Sequence, residues 1–133
     1  MRVAPLAFCL LAASCAAPAE GEGEGDHETP TTLSALKEQI FQPRCSASGC
    51  HGSVSPALGL NLVTDPAAAL VGVASATNPA IQRVVAGDAD ASLLYQILQT
   101  SVGTTEQMPP GFVLPARDVD LVRSWIAAGA LSQ

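Results

Sequence analysis

Five aromatic side chains in 133 residues (one Trp, one Tyr and three Phe) set the tightest limit on what this chain can fold into. Rings normally supply much of the volume of a small core. Hydrophobic residues still make up 48% of the chain, with alanine prominent among them, so the material for burial is present but small. A domain of about a hundred residues built from such side chains sits near the lower limit of self-sufficiency, where disulfides, metals or cofactors commonly help. The length allows one domain with a tail or two. A buried macrocycle would fill the volume that the missing rings leave.

The charge pattern separates the ends of the chain. Net charge is -6, but five of the twelve acids, Glu20, Glu22, Glu24, Asp26 and Glu28, lie in one short stretch. Such a run is a solvated, self-repelling spacer. No basic patch or Arg-rich run appears, which speaks against nucleic acid as a partner. Ahead of the acidic run, Met1-Arg2 is followed by apolar residues from Val3 to Ala17, too few to span a bilayer as a helix. One positive charge, a short apolar stretch and small residues at its end read as an export signal. Leu10-Leu11-Ala12-Ala13-Ser14-Cys15 is similar to a bacterial lipoprotein signal, in which Cys15 becomes the lipidated first residue of a membrane-anchored protein. The expected organisation is a signal over 1–15, a flexible acidic linker over 16–31 and a folded domain over 32–133. Its expected location is the periplasm or cell envelope, with a lipid anchor at Cys15. Cys9 falls inside the apolar run, so Cys45 and Cys50 are the thiols left for the domain.

Within the domain the hydrophobic spacing is helical. Thr31 or Thr32 can cap a helix carrying Leu33, Leu36, Ile40 and Phe41 on one face, which Pro43 should end before Cys45. Gly49 to Gly59 reads as loop. Asp65 to Val71 fits a short helix. Asp88 or Asp90 can cap another, bearing Leu93, Leu94, Ile97 and Leu98. Thr100 to Leu114, with Met108-Pro109-Pro110-Gly111, is loop again. Pro115 fits the first turn of a last helix lined by Leu121, Val122, Trp125 and Ile126 and stopped by Gly129. No pair of alternating strands is apparent. The expected class is all-α, three to five short helices with long loops, and loops of that length usually wrap something or act.

Cys45-Ser46-Ala47-Ser48-Gly49-Cys50-His51 carries the chemistry. Covalent haem attachment needs two thiols that reach two vinyl groups of one porphyrin, and an imidazole held beneath the iron. A His directly after the second Cys meets the second need, because the thioether fixes the backbone from which the ring projects; the ordinary form is C-x-x-C-H. Four small residues separate the cysteines here, so the longer spacer has to bulge outward. Met108 is the one methionine beyond Met1. The residue before a proline is pushed out of helical conformation, so Met108 belongs to a loop ahead of an amphipathic helix. That makes it the natural sixth iron ligand, and His/Met ligation raises the haem potential.

The chain resembles the class I cytochrome c domain, more narrowly its extended-loop C-x-x-x-x-C-H form, often called planctomycete-type. The resemblance spans Leu33 to Leu131. It rests on Ile40-Phe41 ahead of Cys45, on Cys50-His51-Gly52, on Ser92-Leu93-Leu94-Tyr95, on Met108-Pro109-Pro110 and on Trp125-Ile126 with Gly129-Ala130. It implies a cytochrome c-like fold wrapped around one haem c, with an N-terminal helix crossing the C-terminal one through Leu36, Ile40, Val122, Trp125 and Ile126. The expected function is single-electron transfer between a redox donor and an acceptor protein, not catalysis.

Other readings stay open at this stage. Cys45 and Cys50 could form a local disulfide in a haem-free envelope lipoprotein that binds or supports something else. Two Cys with His27 and His51 add up to four zinc ligands, although His27 lies in the acidic spacer. Gly87-Asp88-Ala89-Asp90 hints at calcium but lacks the further acidic ligands of an EF-hand loop, and helix capping explains it better. A hydrolytic triad cannot be assembled from a single domain histidine beside a thiol pair.

Overall fold

The structure, a computed structural model, describes residues 31–99 and 107–133. The expected export signal over 1–15 with Cys15, and His27 with most of the expected linker over 16–31, lie outside the described residues, as do residues 100–106 of the expected loop over 100–114.

Thr32 starts the first helix: its Oγ1 accepts the Ala35 N–H at 3.1 Å, satisfying one of the orphan donors of the first turn. Helix α1 (Leu33–Leu36) passes directly into a π-wound segment, Lys37–Cys45, with Pro43 inside it. The expectation that Pro43 ends the helix is therefore corrected. A proline ring collides with the carbonyl four residues back in an α-turn. A π-turn closes on the fifth residue, and the wider turn moves that carbonyl aside. Winding then continues to Cys45, where the Ser46 hydroxyl donates to the Gln42 carbonyl.

Helix α2 (Pro66–Leu70) is capped by Asp65, which accepts the Ala68 N–H at 3.1 Å, with Pro66 at the first helical position. Helix α3 (Leu93–Gln99) begins later than a cap at Asp88 or Asp90 would allow. Asp88 Oδ1 instead accepts the Ala91 N–H at 3.0 Å and closes the turn before the helix. The buried Ser92 hydroxyl donates to the Asp88 carbonyl at 2.6 Å and accepts the Val85 N–H at 2.9 Å, so it secures the turn.

Helix α4 (Ala116–Ala127) follows Pro115 and ends as the sequence suggests. Gly129 takes φ +100°, its N–H donates to the Ile126 carbonyl, and the Ala130 N–H donates to the Trp125 carbonyl, both at 2.9 Å. This pair of bonds is the Schellman stop, and the left-handed residue it requires suits glycine. Among the described residues the only strand-like pairings are isolated bridges, and no helix is long and apolar enough to cross a membrane. Among the described residues the regular structure is all-α: four short α-helices, the π-wound segment and one 3-10 turn at Ala57–Gly59.

α4 packs against α1 and α3. Leu36, Ile40 and Phe41 share one core with Val122, Trp125 and Ile126, each at most 1% exposed. Each such side chain contributes about 1.5–3 kcal/mol by leaving water. Trp125 Nε1 donates to the Leu131 carbonyl and the Leu33 N–H to the Gln133 carbonyl, both at 2.9 Å, which ties the C-terminal tail over this packing. Of the rings among the described residues, Phe41, Tyr95 and Trp125 are buried in the core, whereas Phe112 is exposed.

Candidate functional site

Cys45 stands at the last position of the π-wound segment, and the chain then turns back on itself. The Cys50 N–H donates to the Ala47 carbonyl at 2.9 Å, and the His51 N–H donates to the Cys45 carbonyl at 2.8 Å. Ala47, Ser48 and Gly49 are exposed, so the four-residue spacer bulges outward while both thiols stay half-buried. Gly52 makes this fold-back possible: a Cβ there would stand 2.7 Å from the Ser46 carbonyl oxygen.

His51 is held by two neighbours in the next stretch of chain. Its carbonyl accepts the Leu62 N–H at 2.9 Å, and its Nδ1 lies 3.1 Å from the Leu60 carbonyl oxygen. A carbonyl only accepts, so the contact assigns the proton to Nδ1 and leaves the Nε2 lone pair free. Metal-bound histidines are commonly fixed in this way by the ring nitrogen that does not bind.

The second loop arrives at the same place. The Met108 N–H donates to the Ile97 carbonyl at 3.2 Å, anchoring the methionine beside α3. Cys45, Cys50, His51 and Met108 all line one cavity of about 160 Å³, partly open to solvent. Its remaining walls are mostly apolar: Ile40 and Phe41 from the first helix, Leu60 and Leu62 from the connection, Leu94, Ile97 and Leu98 from α3, and Pro109 and Pro110 from the methionine loop. The four residues singled out in the sequence are thus brought together, although they come from two separate stretches of chain. A mainly apolar lining with a few convergent polar groups is typical of ligand sites.

The polar groups at this site fit haem by their chemistry. They are two thiols, one imidazole with a free Nε2 and one thioether, set in an apolar slot. Burial, then the neighbouring Cys50, push the Cys45 thiol up from 9.0 to about 11, against a smaller opposing effect of Arg44. Cys45 is therefore a protonated thiol at neutral pH. Both cysteines are free thiols. Among the described residues no three His, Cys, Asp or Glu side chains cluster to hold a metal ion, and His27, which a zinc site would require, lies outside them. In the Gly87–Asp90 stretch, Asp88 is engaged in closing its turn.

Some of the site had no signature in the sequence. Arg44 lines the cavity mouth, its Nε 3.2 Å from Oδ2 of the buried Asp118 and its guanidinium carbon 5.9 Å from the Phe112 ring centre. Arg117 stands 3.5 Å from the other oxygen of Asp118. The Arg44 contact is an ion pair without hydrogen-bond alignment, since Asp118 Oδ2 has no hydrogen-bond partner. Buried Gln107 donates from Nε2 to the Phe112 carbonyl at 2.9 Å. The Leu60 carbonyl, a backbone group, leaves no trace in residue type.

Compared with protein-family models, with curated proteins and with solved structures, the chain matches none.

Proposed function

We propose that this protein is a monohaem c-type cytochrome with a cytochrome c-like fold, a single-electron carrier of the bacterial cell envelope. The convergence of Cys45, Cys50, His51 and Met108 on one apolar cavity, with His51 Nδ1 engaged by the Leu60 carbonyl, carries the reading. Cys45 and Cys50 would hold haem c through thioethers, and His51 Nε2 and Met108 Sδ would be its iron ligands. The bound iron would supply reversible one-electron exchange. A thioether paired with an imidazole favours the ferrous state and so raises the potential relative to two nitrogen donors.

The chain's own residues do the rest. The apolar walls would shield the ligands from water on all but the open side of the cavity, and such shielding strengthens the electrostatic preference between oxidation states. With His51 and Met108 both bound, the iron would have no position left for oxygen or peroxide, which favours electron transfer over an enzymatic role. The donor and acceptor would be other redox proteins. Anchoring to a membrane through lipidated Cys15, and export by the segment before it, belong to the same proposal and rest on the sequence.

Reversible redox titration of the haem-loaded protein tests the function. A single one-electron wave with a low-spin spectrum in both states is expected. A high-spin ferric form that turns over peroxide would contradict it.

A further inference from the structure

Met108 sits in a short loop that is tied back on itself. The Phe112 N–H donates to the Pro109 carbonyl at 3.3 Å, and the Phe112 carbonyl accepts the Gln107 side-chain amide at 2.9 Å. Gln107 is only 2% exposed, so its amide is withdrawn from water and its bonds are made inside the protein. A buried amide that loses such a bond is left with the full cost of desolvation. On the outer side the Phe112 ring lies under Arg44, the residue directly before Cys45. Phe112 therefore receives two separate ties, one from the residue preceding the methionine and one from the segment that carries the first thiol. Phe112 is itself 46% exposed, so these ties rather than burial hold it.

We propose that Gln107 is the positioning residue for Met108: by clamping the loop through the Phe112 carbonyl, it holds the thioether toward the cavity and sets how firmly Met108 keeps its place there. The inference rests on the haem reading above, with Met108 as a ligand. Gln107 does not line the cavity; in this role it acts through the loop. Loosening the loop lowers the effective concentration of the thioether at the iron, and an added ligand then competes more easily.

Imidazole binding to the ferric haem-loaded protein is the test. Gln107→Leu keeps bulk and removes the donor. It should retain covalent haem in normal yield while binding imidazole roughly three- to tenfold more tightly, the range expected for one hydrogen bond. Its weak Met–iron absorption should also fade at a lower imidazole concentration. Val84→Ala, at a fully buried position that does not line the cavity, controls for general destabilisation and should leave imidazole affinity unchanged. Parent-like affinity in Gln107→Leu, or an equal shift in Val84→Ala, overturns the clamp alone. A parent protein that loads no haem, or whose affinity for imidazole is unmoved by Met108→Ala, overturns the haem or ligand assignment and the clamp with it.

Discussion

His51 Nδ1 lies 3.1 Å from the carbonyl oxygen of Leu60, and this contact decides which face of the imidazole is available. The Leu60 carbonyl accepts a hydrogen bond from Nδ1–H, so in the neutral ring Nε2 carries the lone pair. His51→Ala should therefore keep thioether-bound haem but lose the stable low-spin spectrum in both oxidation states. Absorption and magnetic circular dichroism check this; an unchanged low-spin signature would remove His51 from the ligand set.

Met108 should be the second ligand. Met108→Ala is expected to leave the covalent haem in place, to lower the midpoint potential and to abolish the weak Met–iron band. Spectroelectrochemistry on the purified variant measures all three. An unchanged potential would show that the sulfur does not reach the iron.

Gly52→Ala should disturb the attachment loop. Its Cβ would stand 2.7 Å from the Ser46 carbonyl oxygen, and backbone on both sides has to move to relieve it. Overpacking of this kind costs about 1–3 kcal/mol. Thermal unfolding of the haem-free variant should shift downward, with a smaller fraction of haem-loaded protein. A variant as stable as the parent would show that the fold-back tolerates a side chain.

Removing the cation beside Asp118 should destabilise the junction of α4 with the first helix. Arg44→Met preserves the aliphatic stem but leaves the buried carboxylate with Arg117 alone, 3.5 Å away. A loss of about 1–3 kcal/mol is expected from a buried charge deprived of one partner, with part of it recovered in Arg44→Met combined with Asp118→Leu. Chemical denaturation of the single and double variants is the measurement. Equal losses in both would mean that the pair itself contributes little.

The Cys45 thiol gives the haem-free protein a pH dependence. Burial first, and Cys50 second, raise it from 9.0 to about 11. An unfolded chain releases that proton near 9.0 while the folded one keeps it. The stabilising contribution is therefore complete below 9.0 and is lost as pH climbs through about 11. Denaturation midpoints across this window should fall in the reduced haem-free protein and fall less in Cys45→Ser. Equal slopes would show that the thiol is not shielded in the folded state.

Much of the site was readable in residue types, because covalent haem chemistry needs particular atoms at particular spacings. Cys45, Cys50, His51 and Met108 were singled out on those grounds, and all four line one cavity. Thr32, Asp65 and Gly129 were legible as helix boundaries, since capping is a local bond between near neighbours. Pro43 misled because its effect follows from α-turn geometry, and the chain winds there in π-turns. The start of α3 was displaced because Asp88 closes a preceding turn. The Arg44–Asp118 pair and the Leu60 carbonyl were hidden for different reasons. The pair joins elements far apart in sequence, and the carbonyl belongs to every residue alike.

The central claim is covalent haem on Cys45 and Cys50, and pyridine haemochrome absorbance with intact mass of protein expressed alongside haem-maturation machinery tests it most directly. The expected result is a c-type spectrum with both vinyls consumed and a mass increased by one haem per chain. A colourless protein whose mass lacks the haem, with Cys45 and Cys50 joined in a disulfide, would contradict it.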